Sequence, residues 1–399
     1  MRLLLLLISF LFFSTKGCYA EEEMPIIAFL GVPEWRTTDD DYKIFSQCGF
    51  NVNINNFSST EQLIKACRIA EKYGVKIIGR CPEMSTQPGI VAKTLRQESG
   101  FMAYMMKDEP SLTEIVQLQK EMQRLHQTDE KHLFYINLFP HYHKDWIEPS
   151  NKARSYPEYV EALTKTICQQ ISFDFYPITN KGIRKTWYEN LEMVRTVSKK
   201  TGKPFWGFVL SVPHDVPFTS DTYYPTPTLG SLRLQAYSNL VYGAQGIQYF
   251  TYWTPGDTEG FHYHDGPVDE DGEKTSTYAL VLVLNNELKS VSSLFYGSTI
   301  LDLGHLGVLP EGTKRIKKMP VNIKKLKISG YKGAIVSVFE KNQKKYLAIV
   351  NKSHEKDMTL TIKARNNRPQ LLDKQLNKHP IKGYYQVAPG DMLIFSLLE

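Results

Sequence analysis

The sequence is poor in cysteine, in charge of one sign and in long apolar runs, and each shortage excludes a class of protein. Apart from Cys18, the cysteines are Cys48, Cys67, Cys81 and Cys168. They form no Cys-x-x-Cys pair, so neither a zinc cluster nor a disulfide scaffold is indicated, and buried free thiols are expected. Lys plus Arg number 48 against 42 Asp plus Glu, a net charge of +6 that gives no case for a nucleic-acid partner. The Lys-rich stretch Lys314–Lys327 reads as a solvated linker or strand face. Beyond residue 20 no apolar run approaches the ~20 residues needed to cross a bilayer. No Gly-rich phosphate loop follows the first strand, and no Gly-x-Ser-x-Gly elbow accompanies Ser211 and His214. Neither metal nor cofactor is expected, since the pairs His141/His143 and His262/His264 fall in loops.

What is present begins with an export signal over residues 1–20. Arg2 precedes an apolar run Leu3–Phe13, and Cys18-Tyr19-Ala20 offers a small-x-small cleavage site. The rival reading is lipoprotein processing, with a lipid anchor at Cys18; either way the protein is exported, to the periplasm or the cell surface. Eight short apolar runs then alternate with amphipathic stretches, which is the signature of a parallel sheet with crossover helices. The strands are expected at Ile26–Val32, Phe50–Asn55, Val75–Arg80, Phe101–Lys107, Leu133–Phe139, Ile171–Tyr176, Phe205–Val212 and Ile247–Trp253. Ser111-Leu112-Thr113-Glu114 has the spacing of a capping box. Gly49, Gly74, Gly100 and Gly246 stand where left-handed helix caps are wanted. Eight such units in residues 21–300 predict a (β/α)8 TIM barrel, with a doubly wound open sheet as the alternative. From residue 301 to 399 the period changes to two, and a small antiparallel β-sandwich domain is expected.

Barrels work at the C-terminal ends of their strands. Strand 4 ends in Asp108-Glu109-Pro110, two acids whose crowding must raise one pKa, a situation that glycoside cleavage exploits. Asp174, within an aromatic strand, is the third candidate acid, and Tyr176 shares its face. Asn55, Arg80, Asn137 and His214 occupy further rim positions. Trp35, Tyr252, Trp253 and Phe261 offer flat rings for the C–H faces of sugars.

On these residues the chain resembles the barrel glycoside hydrolases of the large retaining superfamily that includes family 42 β-galactosidases. It is also similar to secreted Bacteroidetes proteins with Asp-Glu-Pro at strand 4. The likeness extends over Tyr104–Pro110, Asp174–Pro177, Tyr242–Phe250, Asp269–Gly272, Asn285–Leu288 and Pro389–Asp391. The resemblance implies a carbohydrate substrate and an acid/base at Glu109, with Asp108 where that superfamily has asparagine. It also implies a nucleophilic glutamate at the end of strand 7, yet Phe205–Val212 contains no acid. Three accounts stay open: Asp174 as the second carboxylate, Asp108 polarising a 2-acetamido group, or a barrel that has lost catalysis and binds glycans.

Overall fold

A computed structural model describes residues 23–143, 155–215, 222–258, 260–317, 319–365 and 369–397. Of the positions that the sequence singles out, the export signal with Cys18, Glu259 in the loop after strand 8, and Asn366-Asn367, which mark a turn between C-terminal strands, lie outside the described residues.

Eight parallel strands close a barrel: β1 Ile26–Phe29, β2 Val52–Asn56, β3 Lys76–Arg80, β4 Phe101–Asp108, β5 Leu133–Leu138, β6 Ile171–Phe173, β7 Phe205–Leu210 and β8 Gly246–Phe250. Each pairs with its sequence neighbour, and β8 pairs with β1, so the sheet has no edge. The open-sheet alternative is thereby excluded. Side chains alternate as a pleated strand requires: Ile27, Phe29, Val52, Ile54, Ala103, Met105, Tyr135, Trp206 and Phe208 fill the interior. Residues of the opposite parity, such as Ile26, Ala28, Ile77 and Val209, meet the helices in the larger outer core. Cys48, Cys67, Cys81 and Cys168 are all buried and unbridged.

Local chemistry explains most element ends. Ser111 and Glu114 form the expected capping box at the start of helix Leu112–His126. Gly49 and Gly74 take left-handed angles, with φ of 96° and 70°. Gly100 and Gly246 do not, which corrects the sequence reading. They are small because neighbours press on them: a Cβ on Gly100 would stand 2.2 Å from the Cys67 carbonyl oxygen, and one on Gly246 2.8 Å from the Trp206 indole. Gly243, φ 107°, is the left-handed cap that precedes β8.

Residues 299–397 form two antiparallel sheets, one of six strands and one of three. Their facing side chains, including Val336, Ile349 and Phe395 from one and Met358, Leu360 and Ile362 from the other, share one apolar cluster. Strand Thr299–Gly307 begins this unit, and the Lys-rich stretch contains the strand Ile323–Ser329. The six-stranded sheet packs on helix Leu229–Tyr242, which is buried on nearly every side because barrel and sheet cover its two faces. Across this junction Lys374 donates to the Tyr237 hydroxyl at 2.9 Å and lies 3.5 Å from Glu287, and Arg233 lies 3.8 Å from Asp391. On the barrel side Arg233 Nε and Tyr237 both donate to Glu287 Oε2, at 3.0 and 2.6 Å, and on the other Lys374 pairs with Asp391. The segments Asn285–Leu288 and Pro389–Asp391 thus meet in a cross-domain ion network rather than at a ligand.

Candidate active site

A cleft of about 730 Å³ opens at the C-terminal ends of the barrel strands, and three acids line it: Asp108, Glu109 and Asp174. Two backbone irregularities bring the first two there. Alternation from Ala103 and Met105 would aim Asp108 outward, at the helices. The β4–β5 register slips between Met105 and Lys107, and this bulge sends Lys107 out to an ion pair with Glu114 and turns Asp108 inward. Glu109 leaves the strand at φ 48°, in the left-handed region, with its N–H donating to the Asn137 carbonyl at 2.8 Å. Consecutive strand residues normally face opposite ways, so only this combination puts both acids in one cleft. Holding a glutamate left-handed costs ~1–2 kcal/mol. Glu109→Gly is therefore expected to be about 1 kcal/mol more stable than Glu109→Ala, measured as a difference in urea unfolding.

A buried polar chain positions the carboxylates. Tyr135 donates to Gln248 Oε1 at 2.8 Å, and Gln248 Nε2 donates to Ser172 Oγ at 2.8 Å. Ser172 donates to Asn137 Oδ1 at 2.9 Å. With its oxygen so occupied, Asn137 must turn its amide nitrogen to the acids, donating to Asp108 at 3.0 Å and to Asp174 at 3.1 Å. Two oxygens accepting the two hydrogens of one planar amide stand about 5 Å apart. Asp108 is reached by solvent from the cleft, although protein surrounds it closely enough to raise its pKa by desolvation. Asp174 is 6% exposed. Burial first, and the charge of Asp108 second, raise its carboxyl to about 7, while hydrogen bonds from Asn137 and with Glu109 act the other way. A hydrogen bond between the two carboxyls requires a proton on one of them, an arrangement in which Glu109 and Asp174 would share it.

The remaining candidates divide cleanly. Asn137, Tyr176, His214 and Phe261 line the cleft with the acids. The Tyr176 ring stacks on Phe250 at 5.5 Å. His214 donates from Nδ1 to the Val212 carbonyl at 3.0 Å, and burial lowers its pKa to about 4, so at neutral pH it presents an uncharged Nε2. Asn55, Arg80, Trp35, Tyr252 and Trp253 do not line the cleft. Asn55 has the wrong parity, bonding back to the Val32 carbonyl; Asn56 faces the cleft instead. Arg80 is spent on the Met106 carbonyl beside the bulge. Tyr252 is core, edge-on to Phe45 and Phe50, and Trp253 is buried under Trp35 and Arg36. The ring that β8 contributes is Phe250. Tyr142, Arg184, Tyr224 and Tyr263 complete the wall and were not foreseen. Polar Ser172, Asn137 and Gln248 at inward parity were the available signal for the network; Arg184, on a loop, carried none.

Neither a protein-family model nor a curated sequence matches the chain. Solved structures do. A family 42 β-galactosidase from G. stearothermophilus, Gan42B, superposes with a TM-score of 0.64 over 94% of this chain and 98% of its own, at 9% identity. The β-galactosidase of Bacillus circulans sp. alkalophilus gives 0.63 over 94% and 99%, at 10% identity. A family 5 glycoside hydrolase from Bacteroides vulgatus gives 0.55 over 94% and 89%, at 12%. The chain spans 61% of the length of a β-galactosidase from the psychrophilic Marinomonas ef1, with a TM-score of 0.52 at 10% identity. The fold is one that glycosidases use. At these identities the likeness is to architecture alone.

Proposed function

We propose that the protein is a glycoside hydrolase acting on O-glycosidic bonds of an oligo- or polysaccharide. The observation that carries this reading is the convergence of three carboxyls from β4 and the end of β6 on one cleft, where Glu109 and Asp174 would share a proton. Glu109, half-buried at the cleft wall, donates that proton to the leaving oxygen. Asp174, buried behind it, keeps the proton in the pair at neutral pH. Asp108 is the second carboxylate, accessible from the cleft and fixed by Asn137. It attacks the sugar centre directly or polarises a 2-acetamido group that does so. Aryl glycosides with and without that group separate the two, and retention of configuration, read by NMR of the first-formed sugar, is the outcome expected.

Asp174→Asn supplies the pH test. The raised Asp174 pKa, from burial and the Asp108 charge, means the pair holds its proton up to about pH 7. Activity that needs the proton falls as pH rises through that range. Removing the buried acid is expected to move the alkaline limb of kcat/KM to lower pH by about one unit. An unmoved limb, or a loss of turnover as large as that of Glu109→Gln with no shift, would assign proton donation elsewhere.

The lack of an acid on β7, where Phe208 and Leu210 point inward, favours a second reading: a barrel that binds glycans without cleaving them. Binding by calorimetry with no turnover on any anomer would establish it. We also propose export through residues 1–20. Mass spectrometry of the mature N-terminus distinguishes cleavage after Ala20 from a lipid at Cys18.

A further inference from the structure

One cation in the cleft has no place in the mechanism above. Arg184 follows the short hairpin of Ile178–Thr179 and Gly182–Ile183, and its backbone N–H donates to the Pro177 carbonyl at 2.8 Å. The guanidinium lies over the Tyr142 ring at 4.5 Å and near the Tyr224 ring at 5.7 Å, with one Nη donating to the Tyr224 hydroxyl at 3.1 Å. Its Nε is buried and has no hydrogen-bond partner among the described residues. Three carboxyls share this cleft, yet Arg184 makes an ion pair with none of them. What governs Asp174 is burial and Asp108. A guanidinium held flat by two aromatic rings at the cleft wall is suited to a planar or tetrahedral anion.

We propose that Arg184 is a specificity determinant that binds an anionic group, a carboxylate or a sulfate ester, on the sugar occupying the cleft. The substrate class is thus an acidic glycan. This rests on the hydrolase reading for its catalytic consequence, but not for binding. The charge distribution fits the same partner. Residues 301–399 hold 19 Lys and Arg against 8 acids, whereas residues 1–300 hold 29 against 34. On the three-stranded sheet Lys325 faces Lys363 directly across the strands, both exposed and neither in an ion pair with a described residue. Like charges so placed repel, and a polyanion laid along the surface would relieve the repulsion while concentrating substrate near the barrel.

The test uses the full-length Glu109→Gln protein, so that binding is read without turnover, and aryl glycosides in matched sets: glucoside, glucuronide and 6-sulfated glucoside, in both anomers. Calorimetry is expected to show one of the two charged probes bound about ten- to a hundredfold more tightly than its neutral counterpart. Which one is preferred separates carboxylate from sulfate. That preference should vanish in Arg184→Met and persist, reduced, in Arg184→Lys, with unfolding midpoints confirming that both variants fold. Equal binding of neutral and charged probes, a preference that survives Arg184→Met, or binding of none of them overturns the proposal. Hydrolysis of neutral glycosides without discrimination would defeat this inference and leave the hydrolase standing. Selective binding of an acidic probe without hydrolysis by the wild-type protein would do the reverse.

Discussion

Glu109→Gln is expected to lower kcat/KM on glycosides with poor leaving groups by about a thousandfold, in the range typical of losing a general acid. The amide keeps the volume and the hydrogen bond to Asp174 but has no acidic proton to give. The effect should depend on the leaving group. A dinitrophenolate departs without protonation, so dinitrophenyl glycosides should be cleaved with only a small loss in the first step. Asp108→Asn has the opposite pattern. Its carboxylate acts at the sugar centre, and its removal should slow both kinds of substrate by two orders of magnitude or more. Steady-state rates on the two aryl leaving groups, for the two variants, give four numbers with one expected ordering. A Glu109→Gln protein that loses as much on the activated substrate as on the poor one would remove Glu109 from proton donation.

The second large effect concerns stability. Arg233→Met is expected to destabilise the protein by about 3 kcal/mol, because it leaves part-buried Glu287 and Asp391 without their shared guanidinium. Lys374, 3.5 Å from Glu287, compensates only partly. Guanidinium chloride unfolding monitored by intrinsic fluorescence measures it. Glu287→Leu combined with Arg233→Met should cost less than the sum of the two changes, since the second removes the orphaned charge that the first exposes. Strict additivity would show that Arg233 and Glu287 do not stabilise the protein as a pair.

Particular residues show how far the sequence could be read. The eight barrel strands fall within a few residues of expectation, and the Ser111 capping box is where its spacing put it, because both signals are local. The acids Asp108, Glu109 and Asp174 were visible as strand-end carboxylates. Their neighbours were less so. Asn55 is the strand-end asparagine that the sequence offers, yet Asn56 lines the cleft, because the inward parity of β2 is not fixed by sequence alone and one residue changes the face. Trp253 and Tyr252 were attractive as rings, yet each was claimed by the core, where aromatic area stabilises most. Arg80 was read as a binding group and serves instead to hold the β4 backbone.

The sequence by itself determined the repeating β–α order, the change to period-two strands after residue 300, and the presence of acids at the right strand ends. These follow from hydrophobic periodicity and capping, which act over a few residues. Only the tertiary structure decided that Asp108 and Glu109 face one cleft, that a single amide ties two carboxylates together, and that Arg184 stands beside them with no acidic partner among the described residues. Each of those depends on a bulge, a left-handed residue or a contact between segments tens of residues apart, and no local pattern encodes where such chains of contact close.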